Sequence, residues 1–246
     1  MHYLRSVLFI AAVVILTIVV SLSVPFMWLF NAGSPTVRAV SQVWVRGIML
    51  LFKVVLGLDY REYGRERVPD GPCIIACNHQ SLWETAALSM IFPDASIVAK
   101  KELSRLPIVG WFLQRYPMIL VDRAAGRHAL KQMVEEAKRA VAEGRKVLLF
   151  PQGTRQAVGE PMVFQAAGIS ALYTTLDVPV VPAACNSGLF WGKKTLMIHN
   201  GTVMLSYLPP ISPGMNRKEF QPMLEKMISE ESERLVAEGE AKVSAR

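Results

Sequence analysis

The sequence predicts an α/β fold, a mixed sheet covered by helices, behind an N-terminal hydrophobic membrane-anchoring helical segment. Three observations carry this prediction. Ser6 to Phe30 contains no charged residue. From residue 72 onward, short apolar runs alternate with segments of helical spacing, the pattern of a sheet with helices on its faces. No repeat, low-complexity tract or linker divides that second part. The boundaries follow as 1–58 for the membrane-anchoring helices and 59–246 for one globular domain of a size that a single core serves.

The uncharged run, at about 1.5 Å per helical residue, is long enough to cross a hydrocarbon core of about 30 Å. Ser21-Leu22-Ser23 is a weak cleavage site, and the run continues past Pro25, which argues against a removed signal segment. Pro25 or the Asn31–Pro35 stretch turns the chain if the segment is a re-entrant hairpin instead of a single span, and the sequence leaves both open. Val37 to Leu58 is apolar but for Arg38, Arg46 and Lys53, which fall near one helical face suited to lipid headgroups. Basic residues cluster after the first segment, which puts the globular domain on the cytoplasmic side of a cell membrane.

Further along, Cys73–Cys77, Ala95–Ala99, Met118–Val121, Lys146–Phe150 and Val178–Ala184 read as strands. Leu82–Ile91, the segment through Leu130 and Val141, Gly168–Leu176 and the amphipathic stretch from Phe220 to Leu235 read as helices, and a helical turn begins near Pro107. Leu196–Leu208 reads as two strands joined by an Asn200-Gly201 turn, and the tail after Gly239 as frayed.

Composition narrows the function. Hydrophobic residues make up 52%, and the mean hydropathy is +0.29. The net charge is +7, and the stretch Lys100–Arg155 alone holds twelve Lys and Arg against five Asp and Glu. A cleft lined by Lys100, Lys101, Arg105, Arg115 or Arg123 attracts an anionic substrate. The membrane segment and the lack of any nucleic-acid motif argue against nucleic acid as the partner. Three cysteines, Cys73, Cys77 and Cys185, are too few for a disulfide framework and read as buried thiols of a reducing compartment.

Two motifs carry chemistry. In Asn78-His79-Gln80-Ser81-Leu82-Trp83-Glu84, a histidine sits where a buried strand turns into a helix. Glu84 either completes a capping box with Ser81 or reaches back to fix the His79 tautomer, leaving the other ring nitrogen as a general base. In Phe150-Pro151-Gln152-Gly153-Thr154-Arg155, again after a strand, Gly153, Thr154 and Arg155 suit an oxyanion such as phosphate, or else form a surface turn.

Taken in order, these motifs resemble those of the glycerolipid acyltransferase family, most of all the 1-acyl-sn-glycerol-3-phosphate acyltransferases. The resemblance spans residues 60 to 210 in four blocks: His79 through Glu84; Ala99–Leu103 through Pro107–Trp111 to Val121–Arg123; Phe150–Arg155; and Val178–Ala183. Glu84 stands where aspartate is usual, and Gln152 stands where the family has glutamate. No lysine occurs near Phe164–Gly168, where the family often has one.

The resemblance implies a glycerol-3-phosphate acyltransferase-like fold and an O-acyltransferase. It would move a fatty acyl group from acyl-CoA or acyl-carrier protein to the sn-2 hydroxyl of 1-acylglycerol-3-phosphate, giving phosphatidic acid. His79 would be the base and Glu84 its orienter. Gly153, Thr154 and Arg155, with Lys101 and Arg123, would hold the phosphate. The partners implied are a phospholipid membrane, a lysophospholipid acceptor and the acyl donor, with no metal and no cofactor. Gln152 points toward another acceptor, with lyso-ornithine lipid or another lysophospholipid the nearest alternative, or toward a non-catalytic lipid-binding membrane protein. Cys77, two residues from His79, offers an acyl-cysteine route as a rival mechanism.

Overall fold

The computed structural model describes residues 2–106 and 109–244, with side chains omitted at Arg123 and 242–244. The helical turn expected at Pro107 falls partly outside the described residues; what is described there is a 3-10 turn over Lys101–Arg105 and helix α5 at Val109–Arg115. Seven strands form one sheet: β1 Leu58–Tyr63, β2 Ile74–Cys77, β3 Ser96–Lys100, β4 Ile119–Val121, β5 Val147–Leu149, β6 Val180–Cys185 and β7 Gly201–Tyr207. Their order is β1-β7-β6-β2-β5-β3-β4, parallel throughout except for the antiparallel β6–β7 pair, so the sheet is mixed as predicted.

The central strands are apolar because both sheet faces are covered. In β2, Ile75 and Cys77 face a core shared with Phe52, Leu56, Trp83 and Leu148, while Ile74 and Ala76 face one built with Met133, Ile169, Leu172, Phe220 and Leu224. That alternation is the period-2 geometry of a strand. The first face is closed by α1 His2–Ser21, α3 Ser34–Leu56 and α4 Trp83–Ile91; the second by α6 Gly126–Ala142, α7 Ala166–Leu176 and α8 Arg217–Ser244.

The N-terminal helices form a hairpin docked on the sheet domain. The run breaks at Leu22–Ser23, just ahead of Pro25, and α2 covers Val24–Leu29. Trp44 Nε1 of α3 donates to Thr17 Oγ1 of α1 at 3.0 Å. Gly47 leaves room for Leu16, which lies 2.7 Å from where a Cβ would sit. Phe52 is 1% exposed, between Phe9 and Trp191. Arg38 and Lys53 pair with Asp94 at 3.0 Å and Asp59 at 2.8 Å on the globular part. The outer face of the stretch from α1 through the end of α2 leaves Leu8, Ile15, Ile18, Leu22, Trp28 and Phe30 exposed. Both helical stretches, His2–Leu29 and Ser34–Leu56, are long and apolar enough to cross a membrane.

Two expectations are corrected, and one strand was missed. Only 201–207 of the segment 196–208 is a strand, because Gly201 N bonds Gly57 O and starts β7 alongside β1 instead of turning between two strands. Its φ of +154° and the Phe190 ring packed against it leave no room for a side chain. Strand β1 went unread because Asp59, Arg61 and Glu62 hide its apolar signal. Helix α8 continues past Gly239 to Ser244, where Gly239 lets the helix pack closely on Leu189 and Asn186.

Because Phe52 belongs to the same core as the central strands, Phe52→Ala is expected to destabilise the whole chain by about 3–5 kcal/mol. A thermal melt in detergent should show one cooperative transition at lower temperature; loss of the hairpin alone, with the rest melting as before, would refute a shared core.

Candidate active site

The site grows out of the carboxyl end of β2. Asn78 is fully buried there and ties β2 to the end of β6: its Oδ1 accepts from Cys185 N at 2.8 Å, and its Nδ2 donates to Cys185 O at 2.9 Å and Ser232 Oγ at 3.0 Å. The next residue is His79. Its Nδ1 lies 2.8 Å from Glu84 Oε1, and its ring stacks on Phe150 with centroids 4.3 Å apart. The imidazole keeps 17% of its surface exposed, while the Glu84 side chain is 0% exposed.

An unpaired buried carboxylate would be costly. Glu84 is fully satisfied. Oε1 accepts from His79 Nδ1 and from the Gln80 and Ser81 main-chain N–H groups, both at 2.7 Å. Oε2 accepts from Ser81 Oγ at 2.7 Å and Ser187 Oγ at 2.6 Å. The two readings of Glu84 therefore coexist: it caps the turn entering α4 and it holds the imidazole. Burial alone pushes its carboxyl up, but His79, Ser187 and Ser81 outweigh burial and hold it below the ordinary glutamate range. With Nδ1–H engaged, Nε2 carries the ring's lone pair, and no group among the described residues bonds to it. That arrangement can take a proton from a hydroxyl placed against Nε2.

The second motif follows β5, next to β2. Gly153 adopts φ +69° in a turn whose N–H bonds Phe150 O. Thr154 is exposed and Arg155 half-buried, and Arg155 has no hydrogen-bond or ion-pair partner among the described residues. Gln152 is 2% exposed and turned inward, accepting from His79 N at 2.5 Å and donating to Gln156 Oε1 at 2.8 Å. It therefore faces the histidine loop, and the expected link between Gln152 and acceptor choice does not follow from its position. Lys101, after β3, is exposed and 3.9 Å from Asp122. Arg123 starts a 3-10 turn after β4, and its side chain lies outside the described residues. All four loops leave the carboxyl ends of the parallel strands β2, β5, β3 and β4, the edge at which open α/β sheets bind ligands. His79, Glu84 and the 152–156 turn are bonded together; Lys101 shares the edge without a bond to them.

Sequence reasoning missed Ser187 and Gln156, and it gave Phe150, the first residue of the second motif, no part in holding His79. Ser187 lies 103 residues from Glu84, so no local spacing reveals it. The acyl-cysteine route fails: Cys77 is fully buried, and the Cys185 thiol beside it, burial and the Glu84 charge push its thiol well above the ordinary cysteine value.

The depressed Glu84 carboxyl sets a pH dependence. The unfolded chain binds this proton at higher pH than the folded one. Stability from Glu84 is therefore fully present above the ordinary carboxylate range, near about pH 4.3, and is lost as pH falls through the lower folded value. Melting temperatures of wild type and Glu84→Gln are expected to converge as pH falls below about 4.3. A gap that widens on acidification would contradict this assignment.

Comparison with known proteins gives the same picture. A family model described as Acyltransferase matches residues 59–186. A 1-acyl-sn-glycerol-3-phosphate acyltransferase of Pseudomonas aeruginosa is 36% identical over 207 residues, covering 84% of this chain and 79% of that protein. The human 1-acyl-sn-glycerol-3-phosphate acyltransferase beta is 30% identical over 65% of this chain and 58% of its own length. A yeast enzyme of that name, from Saccharomyces cerevisiae, is 29% identical over 66% of this chain and 54% of its own length. The crystal structure of the 1-acyl-sn-glycerophosphate acyltransferase of Thermotoga maritima shares the fold, with a TM-score of 0.74 at 21% identity over 96% of this chain and 99% of that one. The matched stretch holds His79, Glu84 and the whole Phe150–Arg155 turn, so this chain belongs to the acyltransferase family.

Proposed function

We propose that this chain transfers a fatty acyl group from a thioester, acyl-CoA or acyl-carrier protein, to the free hydroxyl of 1-acylglycerol-3-phosphate, forming phosphatidic acid. The observation that carries the reading is the His79–Glu84 pair, with Nδ1 fixed by a buried carboxylate and Nε2 without a partner among the described residues. The acceptor oxygen attacks the thioester carbonyl carbon as its proton passes to His79 Nε2. The tetrahedral intermediate then collapses, the C–S bond breaks, and the leaving sulfur takes the proton from the imidazolium. Glu84 keeps the ring oriented and balances its positive charge in the transition state. The names of the relatives support the choice of acceptor.

Spacing along the sheet edge supports the division of labour. Adjacent strands are about 4.8 Å apart, so the Arg155 loop is one spacing from the His79 loop, Lys101 two and Arg123 three, or about 14 Å. In 1-acylglycerol-3-phosphate the free hydroxyl and the phosphate sit on adjacent glycerol carbons. Of these three loops, the one carrying Gly153, Thr154 and Arg155 is therefore best spaced to hold the phosphate, with the loops of Lys101 and Arg123 further along the same edge.

The hairpin supports a membrane site entered from one side. Arg38 and Lys53 tie both ends of α3 to the globular part, which suits a hairpin dipping into one leaflet better than a helix crossing both. Its exposed apolar face would hold the site at the lipid surface, and the basic residues from Arg38 to Arg67 favour the cytoplasmic side.

Two measurements test this. Purified protein in detergent is expected to convert labelled oleoyl-CoA and lysophosphatidic acid to phosphatidic acid, and His79→Ala to lower the rate by about 10²–10⁴-fold. With acyl-carrier protein and lyso-ornithine lipid run in parallel, transfer to the ornithine acceptor alone would move the substrate and keep the base. No transfer in any combination would sink the reading. In intact cells, tags at both termini are expected to resist external protease until the membrane is opened; cleavage of the N-terminal tag from outside would make the hairpin a span.

A further inference from the structure

The turn after β5 holds His79 in a way its sequence does not announce. Gln152 uses both ends of its amide: Oε1 accepts from His79 N, and Nε2 donates to Gln156 Oε1. Gln156 closes the ring from the other side, its main-chain N donating to His79 O at 2.9 Å. Gln156 is itself anchored to Val163, with Nε2 donating to Val163 O and Val163 N donating to Oε1, both at 3.2 Å. The N–H and C=O of His79 are therefore both held by two glutamines four residues apart.

The polarity of this pair is matched. Gln156 Oε1 already accepts from Gln152 and from Val163. A glutamate at 152 would keep the bond to His79 N but turn an oxygen toward Gln156 Oε1. Flipping the Gln156 amide would relieve that repulsion and break both bonds to Val163. Each amide therefore needs the other as it stands.

We propose that Gln152 and Gln156 are paired positioning residues for His79, acting on its main chain, and that Gln152 touches neither the acyl donor nor the acceptor phosphate. Its consequence for rate rests on His79 being the base, as proposed above. A displacement of the base by about 1 Å costs on the order of 10²-fold in rate without weakening binding.

Steady-state kinetics with oleoyl-CoA and lysophosphatidic acid test this. Gln152→Ala and Gln156→Ala are each expected to lower kcat by about 10- to 100-fold, with acceptor KM changed by less than about twofold. The double variant should be no slower than the slower single one, because each change breaks the same unit. Gln152→Glu should fall with them. A KM rise of about tenfold at unchanged kcat would make Gln152 a substrate ligand and overturn the proposal. Multiplied losses in the double variant would overturn the pairing. Gln156 is half-exposed, so its variant serves should Gln152→Ala fail to fold. Hydrogen exchange of the peptide spanning residues 77–84 decides the clamp without substrate. Faster exchange is expected in both variants, and unchanged protection would overturn the clamp even if the wild type transferred no acyl group at all.

Discussion

The site depends on a charge kept out of water. Glu84 is wholly buried, and removing a carboxylate from solvent costs several kcal/mol unless hydrogen bonds replace the lost water. Five donors do so here, and they come from separate parts of the chain. His79, Gln80 and Ser81 lie in the loop after β2, and Ser187 lies after β6. The carboxylate is satisfied only while β2 and β6 are paired in register, Ile74 against Val180 through Cys77 against Ala183, with Asn78 bonded across to Cys185. Four of the donors are local to the turn; the fifth depends on the central sheet, and a slip of one residue between β2 and β6 would remove Ser187 from Glu84.

The same constraint explains what the sequence disclosed. His79 and Glu84 were legible because they are five residues apart, across a strand-to-helix turn whose capping chemistry brings them together. The alternation of apolar runs exposed the central strands because both of their faces are covered. Ser187 was not legible, since it reaches Glu84 only through the β2–β6 pairing. Strand β1 was missed because its edge position tolerates Asp59, Arg61 and Glu62 among its residues. The Asn200-Gly201 pair misled because a turn signal also serves where a strand begins against close neighbours.

Gln152 illustrates a different failure. Comparison of motifs treats position 152 as part of a substrate-facing block, so loss of the acid read as a change in the acceptor. The side chain instead turns inward, where its donor and acceptor ends meet different partners. Within one hexapeptide, Gln152 faces the histidine loop while Thr154 and Arg155 reach the open edge. Residues two or three apart in this turn have opposite surroundings, and a linear motif does not record which is which.

The segment after β6 joins these themes. It begins with Ser187, which bonds Glu84, and continues to Trp191, whose ring meets Phe9 of α1 and Phe52 of α3. It ends at Ile198, whose N–H bonds Ser6 of α1 at 2.9 Å. Twelve residues therefore run from the buried carboxylate to the apolar hairpin, closed at their base by His199 N on Phe190 O. Hydropathy alone reveals the hairpin as a long apolar stretch, but it does not reveal that the hairpin packs on the element that completes the His79–Glu84 pair. The helices that carry the exposed apolar surface and the hydroxyl that completes the Glu84 site are held by one loop, so the distance between that surface and the imidazole is set by packed side chains, not by a flexible linker.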